Sequence, residues 1–389
     1  MNNLFSIPNR LLRTGLACIM AIGVILPVAA QRKASSSFDD DYIFWGYPNA
    51  YLNYQAKVAY PLINRMLQAN PPAVKIDKNR RLALITLDQF LHDSDGMRRD
   101  AFYTFVNTRM EEMLAGIDQP VLSGVRIYKL YNSGFILKTL KTTIAVDLVP
   151  GGTTNNKPFL TDSVIFEVAA RCDALLITNA DGKHANRNVA NAFVDMGKKV
   201  ILPEGMWTDM EEFLTPVGAD TTEIVQLGAM TLYVLPGHKN NAKNNIYVMN
   251  FHGRGVVAHT GAQENDADWA WIDDIHNKYN IDILLTKSQN INMESMLAGF
   301  RPRMVITGHE NDIESAVDRR ESYWTTQKRM KSLSSLGIPN VILTWGESYE
   351  YADTSSPNIS SSATKVMMKG ALYIERKGSI YSPTGRKLK

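Results

Sequence analysis

The loop Asn179-Ala180-Asp181-Gly182-Lys183-His184 decides how this chain is interpreted. It follows the apolar run Ala174-Leu175-Leu176-Ile177-Thr178, which is typical of a buried strand, and it precedes an amphipathic stretch over residues 188–197 that is typical of a helix. A polar, glycine-containing loop held between a strand and a helix is a usual place for functional side chains. The polar residues of this loop are therefore the first candidates for a functional site.

Further segments with candidate side chains lie on both sides of this loop. Upstream, strands are predicted over residues 125–131, 134–140 and 143–148, and the last of these contains Asp147. Downstream, residues 235–238 end in His238, residues 259–262 read His-Thr-Gly-Ala, and residues 305–311 contain His309. The predicted strands include one over residues 231–235. Several polar segments thus follow apolar strands in a fixed order.

In this order and spacing, the segments resemble the metallo-β-lactamase superfamily, whose signature loop has the pattern His-x-His-x-Asp-His. The resemblance covers roughly residues 121–346. It implies an α/β fold of the metallo-β-lactamase type, an αβ/βα four-layer sandwich, here with an N-terminal helical extension. The alternation of strands and helices after Val121 independently favours an α/β sandwich with mixed sheets.

The resemblance also implies a centre with two metal ions, of which this sequence keeps only part. The family's ligand positions are occupied here, in chain order, by Asn179, Asp181, Lys183, His184, His238, Ala262 and His309. Asn179 is a poorer zinc ligand than imidazole, and Lys183 places an ammonium where a carboxylate is expected, so that it repels a divalent ion. Ala262 removes the carboxylate that would bridge both metals. A normal two-zinc centre is therefore not expected.

Two hypotheses follow for this cleft. In the first, Asp181, His184, His238 and His309 converge on one Zn²⁺ or another divalent ion, and the protein hydrolyses a small ester, lactone, amide or phosphoester. Asp181 and His184 would then be catalytic. In the second, the protein is a catalytically inactive pseudoenzyme without a cofactor, and Lys183 replaces a metal electrostatically while the cleft binds a ligand or a protein partner. Both hypotheses place these side chains in one cleft.

Other polar residues are expected to lie behind the ligands and to orient them. These residues are Asp147, His259, Thr260 and Glu310. Glu310 is expected to form a charged network with Arg319 and Glu321, and the alternative is a solvated helix with intrahelical pairs.

The N-terminus has the features of an export signal. Arg10 and Arg13 precede an apolar run over residues 15–28, and Val28-Ala29-Ala30 has the small residues of a cleavage site. The run is short for a membrane span. Cys18 offers a lipoprotein alternative, but the apolar run continues past it. We therefore predict cleavage after residue 30 and an exported, periplasmic or secreted protein that is not an integral membrane protein.

The net charge of the mature chain limits the classes of partner, and its cysteine content limits the possible disulfides. Removing residues 1–30 takes away Arg10 and Arg13 and no acidic residue, so the net charge falls from +3 to +1. This balance argues against a nucleic acid as partner and leaves a small-molecule ligand or substrate. Cys172 is then the one remaining cysteine, which excludes an internal disulfide, and its place before an apolar strand favours the core.

The chain divides into five predicted segments. These are a signal peptide (1–30), a flexible leader (31–41), a mainly helical extension (42–120), the metallo-β-lactamase-like domain (121–346) and a C-terminal segment with a closing hairpin (347–389).

The extension has apolar residues at helical spacing in residues 50–69, 80–91 and 99–117. His92, after the second stretch, is expected to be a surface residue or a cap. The aromatic residues 42–47 are expected to pack on the main domain. In a third hypothesis the protein is a mainly structural subunit, and these residues contact its partner.

Overall fold

The computed structural model describes residues 48–93, 100–154, 157–218, 221–333, 336–352, 363–368, 371–376 and 379–381. The predicted signal peptide, leader and aromatic segment lie outside the described residues. The chain divides into two compact units, Met1–Gln55 and Ala56–Lys389, and the first is described only from residue 48. The site and its surroundings all belong to the second unit.

The helices lie mainly in the N-terminal part and around the second half of the fold. They are α1 (Pro48–Ala69), α2 (Lys78–Leu91), α3 (Asp100–Ile117), α4 (Asp162–Arg171), α5 (Arg187–Asp195), α6 (Trp269–Ile272), α7 (Ile275–Lys278), α8 (Met293–Phe300) and α9 (Tyr323–Ser332). Short 3₁₀ helices occur at Thr208–Phe213, Asp266–Asp268 and Val317–Arg319. Within the described ranges, no helix is both long enough and apolar enough to cross a membrane.

The strands form two large mixed sheets and smaller ones. They are β1 (Val125–Lys129), β2 (Phe135–Lys138), β3 (Thr143–Val146), β4 (Thr153–Thr154), β5 (Lys157–Pro158), β6 (Ala174–Leu176), β7 (Lys199–Pro203), β8 (Thr215–Val217), β9 (Glu223–Leu227), β10 (Met230–Lys239), β11 (Ala242–Asn250), β12 (Val256–His259), β13 (Ile283–Lys287), β14 (Met304–Gly308), β15 (Asn340–Val341), β16 (Ser348–Tyr351), β17 (Ala363–Met368), β18 (Ala371–Arg376) and β19 (Ser379–Tyr381). The first large sheet has the order β16-β1-β2-β3-β6-β7-β8, and the second has the order β15-β14-β13-β12-β11-β10-β9. Each contains both parallel and antiparallel neighbours.

The two large sheets pack face to face, and helices cover their outer faces. Side chains such as Ile127 of the first sheet and Leu232 of the second share a central apolar core. A second core joins the other face of the first sheet to α1–α5, and a third joins the other face of the second sheet to α6–α9. The alternation of side chains along β3 explains how one strand contributes to two cores, since Ile144 and Val146 enter the central core while Ala145 faces the helices. The expected four-layer αβ/βα sandwich is confirmed.

The N-terminal helices are joined to the sandwich by a buried ionic cluster. Arg80 of α2 donates two hydrogen bonds to the carboxylate of Glu347, at 2.8 and 2.6 Å. Arg109 of α3 lies 3.7 Å from the same carboxylate and donates to the carbonyl of Trp345. All three charged side chains are buried. The helical extension therefore packs as part of the sandwich.

The C-terminal segment forms a separate antiparallel sheet in which β18 lies between β17 and β19. This sheet occupies the region of the expected closing hairpin. Residues 377 and 378, between β18 and β19 in the sequence, lie outside the described residues.

Candidate functional site

A polar cavity of ≈ 150 Å³ lies where loops from both large sheets meet. Its lining comes from the loop after β6, from the ends of β10 and β13, and from the loops after β12 and β14. The lining residues are Asp181, Lys183, His184, Lys239, Ala262, Lys287, Gln289, His309, Asp312, Ser315, Arg319 and Glu321. Because the carboxyl ends of neighbouring parallel strands meet at one edge, residues distant in sequence converge here.

The structure brings most of the predicted site residues into this cavity. Asp181, Lys183, His184, Ala262 and His309 all line it. Asn179, at the first ligand position, lies buried beneath the cavity. Its side-chain nitrogen donates to Asn244 at 3.0 Å, and its oxygen accepts the backbone N–H of Asp181 at 3.0 Å. Asn179 therefore fixes the shape of the loop.

His238 lies outside this cavity, in contrast to the expected convergence. Its Nδ1 is 3.1 Å from both carboxylate oxygens of Asp268, and its backbone N–H donates to Gln263. Strand β10 continues through His238 to Lys239 and pairs with β11 from Thr231 to Lys239. Neighbouring residues on a strand point to opposite sides. With the imidazole turned to Asp268, the next side chain, Lys239, enters the cavity.

Lys239 forms an ion pair at the predicted metal position of Asp181. Its Nζ lies 2.6 Å from Oδ2 of Asp181, and Oδ1 accepts the backbone N–H of Lys183 at 3.0 Å. Burial acts to raise the pKa of Asp181, but the bonds from Lys239 and from the Lys183 backbone outweigh it and hold the pKa at about 2. Asp181 is thus ionised, and an ammonium already neutralises it.

Lys183 forms the second ion pair of the cavity. Its Nζ donates to Oδ2 of Asp312 at 2.6 Å, and the hydroxyl of Tyr131 donates to Oδ1 at 2.7 Å. Ser315 donates to Oδ2 at 3.0 Å. Burial acts to raise the pKa of Asp312, and the bonds from Lys183 and Tyr131 hold it below its ordinary value. A charged pair therefore occupies the side chain at the position where the sequence resemblance predicts a ligand of a second metal.

His184 is oriented by a buried carboxylate. Its Nδ1 lies 2.7 Å from Oδ2 of Asp147, and the same carboxylate accepts the backbone N–H and the hydroxyl of Thr178, each at 2.8 Å. Since a carboxylate only accepts, Nδ1 carries a proton. Asp147 thus lies behind His184 and orients its ring.

His309 faces His184 across the cavity floor, with ring centroids 5.4 Å apart. Its Nε2 is buried and has no hydrogen-bond partner among the described residues. Burial lowers the pKa of His309 well below its ordinary value, and the charges of His184 and Lys129 add to this effect. The ring is therefore neutral.

The residues behind His309 form a buried polar layer. Lys129 donates to the carbonyl of Asn132, which also accepts the backbone N–H of His309 at 3.0 Å. Burial lowers the pKa of Lys129 to about 8, and the charge of Glu310 acts in the opposite direction. Burial raises the pKa of Glu310. The ion-pair partner of Glu321 is Arg329, at 2.9 Å, rather than the expected partner Arg319.

His259 and Thr260 also lie beneath the site. Nε2 of His259 donates to the carbonyl of Ser133 at 3.0 Å, and its Nδ1 accepts the N–H of Gly261 at 3.1 Å. Burial lowers the pKa of His259. The hydroxyl of Thr260 donates to Thr286 at 3.0 Å. Both residues fix the loop that carries Ala262.

The residues present do not fit a dinuclear metal centre. The described residues contain no group of three or more His, Cys, Asp or Glu side chains arranged to hold a metal ion. His184 and His309 supply two imidazoles, but the carboxylate of Asp181 is held by Lys239 and that of Asp312 by Lys183. A divalent ion would therefore have to compete with two ammonium groups.

Several lining residues could not be assigned from the sequence alone. Lys239 and Asp312 lie one and three positions after the predicted site histidines His238 and His309. Charged residues that follow a site histidine closely are the sequence signal that could have identified both. Lys287 ends β13, and its Nζ lies 3.1 Å from Oε1 of Glu264. Its only sequence signal is a charge directly after an apolar strand.

No family model and no curated protein match this sequence. The fold is similar to that of solved structures at low identity. A possible metal-dependent hydrolase from Veillonella parvula is 12% identical and has a TM-score of 0.45, over 59% of this chain and 100% of that one. Igni18, a metallo hydrolase from Ignicoccus hospitalis, is 17% identical with a TM-score of 0.44, over 58% and 99%. The metallo-β-lactamase fold protein YhfI from Bacillus subtilis is 11% identical with a TM-score of 0.41, over 58% and 99%.

Proposed function

We propose that this cavity is a metal-independent binding site for a small anionic molecule, in a pseudoenzyme of the metallohydrolase type. The observation that carries the proposal is the pair of ionic contacts Lys239–Asp181 and Lys183–Asp312, each 2.6 Å long. The two ammonium groups occupy the carboxylates that a metal ion would need, and the positive charge for an anion comes from Arg319. No hydrolytic step is assigned to the cavity in this proposal.

The size and charge of the cavity define the class of ligand. Its lining carries the cations Lys183, Lys239, Lys287 and Arg319 and the anions Asp181, Asp312 and Glu321. The three lysines each have a carboxylate partner, whereas Arg319 has no ion pair within the part of the chain that the structure describes.

A cavity of ≈ 150 Å³ holds a molecule of about the size of benzene. A guanidinium binds carboxylate or phosphate oxygens in a fork geometry. We infer a small carboxylate or phosphate with Arg319 as its anchor.

Metal analysis and a binding assay test the proposal together. The purified mature protein should contain less than one equivalent of divalent metal, and acetate, oxalate or inorganic phosphate should raise its melting temperature after treatment with a chelator. Arg319→Gln should weaken this effect. Lys331→Gln is the matched control, because it removes the same charge from an exposed position outside the cavity. Stabilisation that requires added zinc would contradict the proposal.

A mononuclear hydrolase is the second candidate. It is favoured by the orientation of His184 through Asp147 and by the position of His309, 5.4 Å away between ring centroids. Asp181 would complete the set only after release from Lys239. Zinc titration of the chelated protein decides between the candidates, with His309→Ala as control. Tight binding of one zinc that this variant abolishes would favour the hydrolase.

We further propose that the protein is exported, with cleavage after Ala30. The charged start, the apolar run and the small residues at 28–30 support this proposal. N-terminal sequencing of the exported form tests it. A first residue of Gln31 is expected, and an intact residue 1 or a lipid on Cys18 would contradict it.

A further inference from the structure

One wall of the cavity is a single loop. Residues 311–321, between β14 and α9, supply the lining residues Asp312, Ser315, Arg319 and Glu321. The backbone is left-handed just before this loop and at its first residue, with φ of 69° at His309 and 52° at Asn311. Such backbone angles are costly for residues other than glycine and persist where the surroundings hold them. The contacts that hold this loop therefore also hold the wall of the cavity.

Arg320 joins this loop to the end of α2. Its Nε donates to the carbonyl of Ser315 at 2.9 Å, and Nη2 donates to that of Ile313 at 3.0 Å. Nη1 donates to the carbonyl of Leu91 at 2.6 Å, at the last residue of α2. One guanidinium thus closes the loop on itself and attaches it to the helix.

Asp88 adds a second attachment from the same helix. Its Oδ1 accepts from the side chain of Asn311 and from the backbone N–H of Tyr323, each at 2.9 Å. Its Oδ2 accepts from the backbone N–H of Trp324 at 3.0 Å. The carboxylate thereby holds both the start of the loop and the first turn of α9 that follows it.

His92 makes the third attachment, and its geometry specifies a protonation state. Nδ1 lies 2.8 Å from the carbonyl oxygen of Asp88, and Nε2 lies 3.1 Å from the carbonyl oxygen of Arg320. Both partners are backbone carbonyls, which only accept. A neutral imidazole has one N–H, so it forms one of these bonds, whereas an imidazolium forms both.

The surroundings of His92 contain charges of both signs. The residue caps the C-terminus of α2, where the helix dipole favours a cation. Asp88 and the adjoining Asp93 lie on the same segment, and burial raises the pKa of Asp88. The guanidinium of Arg320 contacts the last residue of the helix. These three residues adjoin His92 or carry the two carbonyls that its ring contacts.

We propose that His92 is a positioning residue that clamps the cavity wall to α2 when its imidazole is protonated at both nitrogens. Loss of one proton breaks one of the two bonds and loosens residues 311–321, so that Asp312 and Arg319 lose their fixed positions. This proposal rests on the proposed function only in one respect, namely that residues 311–321 take part in ligand binding. The clamp is present at lower pH and is lost as the imidazole is deprotonated on raising the pH.

Hydrogen–deuterium exchange tests the clamp without any ligand. After correction for intrinsic exchange, amides of residues 311–321 should exchange several-fold more slowly at pH 5.5 than at pH 8.5. His92→Gln, which has a single NH₂ group and does not titrate, should remove this difference, while the amides of β12–β14 serve as the control for folding. The same pH dependence in this variant would overturn the proposal.

Arg320→Lys separates the attachment from the charge. Lysine keeps the positive charge but lacks the fork that reaches three carbonyls. Exchange of residues 311–321 should therefore be fast at both pH values in this variant. Slow, pH-dependent exchange in Arg320→Lys would overturn the role of the loop attachment.

Nitrogen-15 spectra of the wild-type histidines provide a measurement that needs no variant. At pH 5.5 both ring nitrogens of His92 should carry slowly exchanging protons. A neutral ring with one N–H at that pH would overturn the proposal.

Phosphate binding connects the clamp to the proposed ligand site. The ratio of phosphate affinity at pH 5.5 to that at pH 8.5 should be several-fold larger in the wild type than in His92→Gln. Equal ratios would overturn the link to binding, and an absence of any phosphate, acetate or oxalate binding would contradict the proposed function while leaving the exchange test intact.

Discussion

The Nζ atom of Lys239 lies 2.6 Å from Oδ2 of Asp181, where the family resemblance places a metal ion. A compact ammonium with three donors takes the electrostatic place of a cation that the carboxylate would otherwise bind. Lys183 repeats the arrangement with Asp312. Two internal cations, fixed by covalent attachment, therefore lie where the sequence resemblance predicts metal ions.

Restoring the family ligands alone should not restore a metal pair. We expect the unmodified protein to bind at most one divalent ion, weakly. Its metal affinity should be reduced by more than the roughly 10–100-fold that follows removal of a residue behind a ligand. The fourfold variant Asn179→His, Asp181→His, Lys183→Asp, Ala262→Asp should hold no more than one zinc, because Lys239 remains in the cavity and His238 outside it.

Adding Lys239→Ser to the fourfold variant should raise its zinc content or affinity, as measured by metal analysis after dialysis. The fourfold variant is its control. Two tightly held zinc ions in the unmodified protein would show that the ammonium groups do not exclude metal.

Acid should weaken the Asp181–Lys239 pair in a defined range of pH. The pKa of Asp181 is about 2 in the folded protein and near 4 in an unfolded chain. Its contribution to stability is therefore present above about pH 4 and is lost as the pH falls towards 2. Asp181→Asn should lose less stability than the wild type between pH 5 and pH 2.5 in urea unfolding. Asp195→Asn, at an exposed position, should behave like the wild type.

The sandwich was predictable from the sequence because the patterns that identify its strands and helices are local. Apolar runs such as residues 174–178 identify buried strands, and the alternation along β3 appears in the sequence as it does in the cores. The path of β10 was not predictable in the same way. The predicted strand ended at Leu235, before Pro236, whereas the observed strand continues to Lys239. Those four residues decide that His238 faces Asp268 and Lys239 faces the cavity.

The cause of this longer strand lies in tertiary contacts. Gly237 pairs with Asn244, and a Cβ at Gly237 would lie 2.4 Å from Oε1 of Gln263. The close approach lets Gln263 accept the backbone N–H of His238 at 2.8 Å. Contacts between residues 25 positions apart leave no local pattern in a single sequence. The same holds for Lys183 and Asp312, which are separated by 129 positions.

The buried cluster of Glu347 should dominate the attachment of the helical extension. Glu347→Ala leaves the guanidinium groups of Arg80 and Arg109 buried without their carboxylate, so we expect a loss of about 3–5 kcal/mol in the free energy of unfolding. Glu350→Ala is the matched control. It removes the partner of Arg126 from a half-exposed pair and should cost less than about 1 kcal/mol. Equal losses in urea unfolding would contradict this ranking.

The tautomer of His184 should follow the chemistry of residue 147. In the wild type, Asp147 accepts from Nδ1, so a neutral His184 ring has its lone pair on Nε2. Asp147→Asn keeps a side chain that tolerates the left-handed φ of 48° at this position. Its amide nitrogen can donate to Nδ1, which would move the ring proton to Nε2.

Nitrogen-15 spectra should show this exchange of protonated nitrogens in His184. His259, whose ring is fixed by Ser133 and Gly261, should keep its proton on Nε2 and serves as the internal control. A donor at Nε2 of His184 should attract an anion where the lone pair repels it, so acetate and phosphate should bind more tightly to Asp147→Asn than to the wild type. An unchanged ring in the variant would mean that Asp147 does not set the tautomer. A changed ring with unchanged affinity would mean that the anion does not reach His184.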